Sequence, residues 1–269
     1  MNLPASQADA IRLIEAIGLL GVTISSAEWL AKPQQIRNSG VFSWDVCRLR
    51  AAWMVEGPIA AGLTVIFENP GLTLLLLVRP AIAAVIAFGL ATGWMHAALI
   101  TVVALVTVLV RVRFPMGLDG SDQMAGIIFV TLSLIYWIGT PRAAQLGLIF
   151  LTLQLCLSYQ AAGWLKLRER GWRDGTYLAR VLSSGAYGHA AAGRYLTDHP
   201  SLSRMLSWSV IALETSFPIV FVLPPFAAAG LLAAGLAFHV GTGLLMGLNT
   251  FVIFFGAAYP ALAYSLGLL

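Results

Sequence analysis

Apolar residues run along this chain in long unbroken blocks. Eight blocks of span length stand out, at roughly 11–30, 72–94, 97–112, 123–139, 143–165, 206–224, 227–247 and 250–268. Barrel strands would alternate apolar and polar over about ten residues, and these blocks are too long and continuous for that. A helix needs about 20 apolar residues to cross a bilayer, so each block predicts a transmembrane helix. Turn formers punctuate them at Asn69-Pro70-Gly71, Pro115, Gly139-Thr140-Pro141 and Pro224-Pro225. Residues 51–67 (AAWMVEGPIAAGLTVIF) are apolar too, but the piece is short and carries Glu56 and a Gly57-Pro58 break. It predicts a re-entrant or interfacial helix. Near 164–182, Leu165, Leu167, Trp172, Tyr177, Leu178, Val181 and Leu182 interleave with arginines. That is an amphipathic membrane-surface pattern, broken at Gly171 and Gly175. The predicted fold class is all-α: a polytopic integral membrane bundle of about eight transmembrane helices, forming one domain over 1–269 with no separate soluble domain.

Composition supports lipid as the solvent. The chain is 59% hydrophobic and only 10% charged, against about 45–50% and 25% in soluble domains. A soluble enzyme, a disordered protein and a disulfide scaffold are excluded. Cys47 and Cys156 lie far apart and match no metal pattern. Net charge is +4, which in a membrane protein reports orientation more than nucleic-acid binding; lipid is the expected partner. With eight crossings, every Lys and Arg except Arg12, Arg79 and Arg142 falls on loops of one side. The positive-inside rule makes that side cytoplasmic and puts both termini outside. The opening MNLPASQADA has no basic region, so the first block reads as a retained span.

Charged groups inside spans are costly and are functional candidates by default. Glu15, Arg79, Glu214 and His239 lie within predicted spans, with Asp122 and Lys166 at span edges. Each also has a structural reading. Arg12 and Glu15 are three apart and face each other on a helix. Arg79 can snorkel or pair with an acid. Asp122 can cap the fourth span, and Ser201 or Ser203 the sixth. Glu214 reads equally as half of an ion pair or as a functional acid, and His239 as hydrogen-bonded core or as a catalyst. Lys166 can be a snorkelling residue. A lysine in low dielectric also loses its proton more easily and can act as a base. His96, His189 and His199 fall in loops or at loop edges, without metal spacing.

Four strings occur in order: RFPMGLDGSDQM, YQAAGWLKLRERGWRDGTYL, LSWSVIALETSFPIVFVLP and GLAFHVGTGLLMGLNTFVIFFGA. Together they resemble the HTTM membrane domain, the bacterial relatives of the vitamin K-dependent gamma-carboxylase. The family's AG-x-x-K-L element is matched by Ala162-Gly163-Trp164-Leu165-Lys166-Leu167, and its W-x-x-G by Trp172-Arg173-Asp174-Gly175. Glu214 matches the acid of the next span and His239 the histidine of the one after. The resemblance implies a bacterial inner-membrane enzyme using a reduced quinone, of vitamin K or menaquinol type, with oxygen and carbon dioxide. Lys166 would deprotonate the quinol, and His239 and Glu214 would stabilise developing charge. Asp122 stands where the carboxylase has histidine, as in the bacterial pattern. Gly163, Trp164, Trp172, Gly175 and Asn249 would contact the cofactor. The same resemblance also allows a non-catalytic membrane partner in maturation, export or tolerance of a secreted peptide.

Overall fold

The computed structural model describes residues 3–37, 40, 42–114, 120–185 and 188–269. Residues 115–119 of the RFPMGLDGSDQM string lie outside that set. The described residues form helices and turns, with no strand among them. In chain order the helices are α1 (Ala5–Leu30), α2 (Pro33–Ile36), α3 (Trp44–Cys47), α4 (Pro58–Phe67), α5 (Gly71–Ala87), α6 (Gly93–Arg113) and α7 (Gly120–Ile138). Then come α8 (Pro141–Arg168), α9 (Arg170–Arg173), α10 (Thr176–Ser183), α11 (Ala190–Asp198), α12 (Pro200–Ser216), α13 (Pro225–Met246) and α14 (Asn249–Ser265). Local chemistry sets many of these ends. Proline opens α4, α8, α12 and α13, where its missing N–H has no intrahelical partner to lose. Gly247, at φ +69, closes α13 in the left-handed cap that glycine reaches without strain.

All eight predicted blocks are largely helical, but among the described residues fewer than eight helices are long and apolar enough to cross a bilayer. Six meet that requirement: α1, α6, α7, α8, α12 extended by a 3-10 turn to Val222, and α13. The count rises to seven if α4 and α5, bent by 64°, act as one broken span. That bend follows the Asn69-Pro70-Gly71 signal and makes 58–67 part of a broken span or a re-entrant loop. The eighth block is α14, whose 17 residues extend about 25 Å at 1.5 Å per residue, short of the roughly 30 Å hydrocarbon core.

The chain divides into two compact units: Met1–Leu3 with Arg12–Gly147, and Pro4–Ile11 with Leu148–Leu269. In the first unit, Ile36, Leu72, Leu76, Val106, Val110 and Phe114 form one buried cluster, with Trp29 stacked on Phe114 at 3.8 Å. Trp44, Cys47, Met54 and Phe67 form another. Arg113, fully buried, donates to the Phe67 carbonyl (3.1 Å) and the Phe42 carbonyl (2.6 Å). Its guanidinium also lies 4.8 Å from the Phe114 ring, so a cation is held here by carbonyls and ring faces.

In the second unit, α8 and α12 cross closely at Gly163. A Cβ on Gly163 would fall 2.6 Å from the Thr215 nitrogen and 2.9 Å from the Glu214 carbonyl carbon. Small residues permit this backbone approach, the usual basis of helix association in lipid. The amphipathic segment is divided differently from expectation. Helix α8 runs on to Arg168, and the breaks fall at Glu169 and at Asp174-Gly175. Beyond them α10 and α11 form a short hairpin against α12. Three side chains of α12 hold the segment's carbonyls: Ser203 Oγ donates to Gly175 (2.7 Å), Ser207 Oγ to Trp172, and Trp208 Nε1 to Arg173 (3.0 Å). Ser203 is therefore a clamp, and the α12 N-terminus begins with His199 and Pro200 without a side-chain cap.

Candidate functional site

The second unit carries two polar groupings on one face of α8, which presents Tyr159 and Lys166. These residues are seven apart, so they share a face about 10 Å apart along the axis.

The first grouping is an ion pair. Lys166 Nζ donates to both oxygens of Glu214, at 2.8 and 2.7 Å. The Glu214 side chain is 4% exposed and that of Lys166 is 19% exposed, so the acid is buried and the amine keeps a limited outlet. The Trp172 ring lies 5.3 Å from Nζ, near enough for cation–π attraction. The Gly163 crossing sets this geometry, since it brings the Glu214 backbone against α8. Gln160 reinforces the crossing by donating to the Thr215 carbonyl at 2.7 Å and accepting from Trp164 Nε1 at 2.7 Å. Gly175 adopts φ +85. Next to it, the Thr176 N–H and hydroxyl bond the Asp174 carboxylate at 3.0 and 2.7 Å and hold its pKa below the usual range.

The second grouping surrounds His239, which is 1% exposed. Its Nε2 lies 2.8 Å from the Tyr159 hydroxyl, which lies 2.6 Å from the Tyr259 hydroxyl. Phe217 stacks on Tyr159 at 3.8 Å and Phe255 on His239 at 4.8 Å. His239 Nδ1 is buried without a hydrogen-bond partner among the described residues. The close approach requires Gly235, where a Cβ would press on the Tyr259 hydroxyl and fall 2.8 Å from that of Tyr159. We expect Gly235→Val to lower stability by about 1–3 kcal/mol through overpacking, and Gly230→Val, where a Cβ meets open space, to leave it nearly unchanged. Denaturant unfolding in one detergent measures both.

Lys166, Glu214, Trp172 and Gly163 thus come together, with His239 along the same helix face. Trp164 is exposed and bonded to Gln160. Gly175 packs its backbone on Arg204. Asn249 opens α14. Asp122 belongs to the first unit, half-buried in the first turn of α7. The Tyr159 and Tyr259 hydroxyls have no signal in the sequence, where aromatics within spans read as core. In the first unit, Glu15 turns to distant partners: His96 Nε2 lies 2.9 Å from its Oε2, and the Tyr136 hydroxyl donates to the same oxygen. His96 is accordingly a helical residue of α6, and helix packing supplies both of these partners. Arg79, 2% exposed, donates Nε–H to Ser26 at 3.0 Å.

Large apolar side chains such as Leu105, Leu134, Leu157, Phe226 and Leu244 face outward, while Glu214, His239 and Arg79 are buried. Apolar outside and polar within is the arrangement that lipid as solvent selects. The chain is a helical integral membrane protein. No protein-family model, curated protein or solved structure matches it.

Proposed function

We propose that this protein is an HTTM-type membrane enzyme that removes a proton from a lipid-soluble substrate of the reduced-quinone class, with Lys166 and Glu214 as its proton-handling couple. The observation that carries the reading is the two-pronged Lys166–Glu214 bond, with the acid buried and the amine partly open. Moving one Nζ proton onto Glu214 converts the ion pair into its neutral form and leaves a lone pair on Nζ. Burial favours such neutralisation because isolated charges are poorly solvated there. Lys166 then accepts a proton from the substrate hydroxyl and becomes an ammonium beside neutral Glu214, which releases its proton to solvent by the partly open side of the pair and so restores the pair.

Two features support a flat ring bearing hydroxyls as the substrate. Trp172 offers an aromatic face beside Nζ, and His239 Nδ1 is a buried polar atom without a partner. When bound, a reduced quinone supplies the acidic hydroxyl and the electrons for oxygen chemistry. His239 and Tyr159 orient charge by hydrogen bonding. Carboxylation with carbon dioxide, both termini outside and a secreted peptide as acceptor belong to the same proposal.

The test supplies reduced menaquinone or vitamin K and oxygen to the purified protein and follows epoxide by mass spectrometry. Wild type should form epoxide. Lys166→Ala should lose at least 100-fold, since general-base catalysis contributes about 10²–10⁴-fold. Absence of product from folded wild type, over several quinones, rejects the enzyme and leaves the peptide-partner reading in front.

A further inference from the structure

Buried hydrogen-bonding atoms in folded proteins are almost always paired, and an exception calls for a reason. His239 Nδ1 is such an exception. The residue is 1% exposed, and this nitrogen has no hydrogen-bond partner among the described residues. Counting hydrogens along the hydroxyls beside it shows which form it takes. A phenol has one hydrogen to give, and a neutral imidazole carries one hydrogen on one of its two nitrogens. The count starts at Tyr259. Its hydroxyl lies 2.6 Å from that of Tyr159, and among the described residues it bonds nothing else. The Tyr259 hydrogen therefore points to the Tyr159 oxygen. Tyr159 has two polar neighbours in reach, the Tyr259 oxygen and His239 Nε2 at 2.8 Å. The first line already holds the Tyr259 hydrogen, so the Tyr159 hydrogen lies on the second. His239 Nε2 is then an acceptor and bears no hydrogen. Reversing the chain would strand two buried polar atoms, the Tyr259 hydroxyl hydrogen and the Nδ1 lone pair, where the forward direction strands one.

The imidazole hydrogen therefore sits on Nδ1, as a donor with nothing to donate to. Packing holds the ring in this orientation: Phe255 stacks on it at 4.8 Å, and Phe251 and Phe238 lie at 5.0 and 5.3 Å. A buried donor held ready in a dry site is the arrangement that stabilises an oxygen on which negative charge develops. We propose that His239 Nδ1–H receives the carbonyl or oxyanion oxygen of a bound ring, and that Tyr259 and Tyr159 are positioning residues that fix its tautomer. The class of ring rests on the quinone reading above, and the tautomer does not. Phe251 and Phe238 are half-buried and form the cover that the ring displaces on entry. The roles at the site then divide. The Lys166–Glu214 pair moves protons, whereas His239 gives a hydrogen bond and takes up no proton.

The test reads the tautomer directly. The full chain, carrying isotope-labelled histidine and held in detergent, is examined by nitrogen NMR, which tells a protonated ring nitrogen from a bare one. The chain has four histidines, and single replacements by glutamine assign them. His239 should carry its proton on Nδ1 and none on Nε2. Tyr259→Phe removes the hydrogen that sets the direction, so both tautomers should appear. Tyr264→Phe, on the same helix but bonded to Gln7, should leave the His239 signals as in wild type. Oxidised menaquinone is then added, since its carbonyl oxygens can only accept. It should shift the Nδ1 signal of wild type. It should also return Tyr259→Phe to the Nδ1–H form, because a ligand moves an equilibrium toward the state it binds better. Binding itself is read separately, as quenching of tryptophan fluorescence. A proton on Nε2 in wild type overturns the proposal whatever the variants do. Menaquinone that binds without moving the Nδ1 signal overturns it too, and leaves the quinone reading standing. No binding removes the quinone reading and this proposal with it. If Tyr259→Phe misfolds, the wild-type tautomer and its response to menaquinone decide the matter alone.

Discussion

Lys166→Met will destabilise the protein by about 3–4 kcal/mol, and Glu214→Leu by less, about 2–3 kcal/mol, whereas the two together will be close to neutral. Removing one partner of a buried pair costs about 3–5 kcal/mol because it strands the other charge, while replacing both with apolar groups of similar volume is often neutral or stabilising. The ordering within the pair follows from exposure. Without Lys166, the Glu214 carboxylate is left in a site only 4% exposed. Its escape is to take up a proton, which for an ordinary glutamate costs roughly 4 kcal/mol at neutral pH and so caps the loss. Without Glu214, the lysine is less stranded. Its side chain is 19% exposed, its long stem can carry the ammonium outward, and Trp172 remains beside it. Unfolding of the four proteins of this cycle in one detergent gives the coupling, expected at several kcal/mol. Additive single losses, or a larger loss for Glu214→Leu, would show that the pair is hydrated and would remove the low-dielectric environment on which its proton chemistry depends. Activity separates the roles further: the double variant should be stable and inactive.

Several parts of this arrangement are legible in the sequence and others are not, for physical reasons. Hydrophobic length places the six helices long enough to span among the described residues, since lipid imposes a fixed thickness on any crossing, but it also draws α5 and α14, whose 17 residues each fall short alone. The bend between α4 and α5 is announced by Asn69-Pro70-Gly71. Lys166, Glu214 and His239 stand out because a charge or an imidazole in a span demands an explanation. Their partners are not visible in the same way. Lys166 meets Glu214 across 48 positions and His239 meets Tyr159 across 80, pairings fixed by which helices cross and at what height. Local spacing is also incomplete: His96 and Tyr136 reach the Glu15 carboxylate from other helices. Ser203 shows the same effect at a helix end. It has the residue type and position of a cap, but the chain folded back over it brings the Gly175 carbonyl within reach. The Gly163 crossing is legible only in part. A glycine in a span suggests close approach, but not that Thr215 and Glu214 are the neighbours.

Gly175→Val should detach the segment 176–198 while leaving the spanning helices intact. Two contributions strain the closed hairpin and favour its opening, against the bonds that hold it. The residue sits at φ +85 and ψ −2, a left-handed conformation that costs an ordinary residue about 1–2 kcal/mol. Its Cβ would fall 2.5 Å from the Arg204 nitrogen, 2.7 Å from the Arg204 Cα and 2.8 Å from the Ser203 carbonyl carbon. These are backbone atoms of α12 and cannot rotate aside, so relief requires separation, and overpacking of this kind costs about 1–3 kcal/mol. Separation gives up the bonds of Ser203, Ser207 and Trp208 to the carbonyls of Gly175, Trp172 and Arg173, at about 0.5–1.5 kcal/mol each, and this opposes opening. The strain of about 2–5 kcal/mol lowers the free energy of opening by the same amount, and the clamp and the small Ala179, Leu182 and Leu196 cluster resist it. Local opening is therefore favoured over global unfolding. Trypsin reports it directly: Arg180 and Arg194 should be cut at least tenfold faster in Gly175→Val. Gly185→Val, where a Cβ meets nothing within 4 Å and φ is not in the left-handed region, should behave as wild type. Unchanged protection in Gly175→Val would mean that the hairpin is held by something other than this glycine contact. If the hairpin does open, the effect reaches the ion pair. Trp172, whose carbonyl is one of the three clamped, becomes free to leave Lys166, so the ion pair loses its aromatic cover while both charged residues remain.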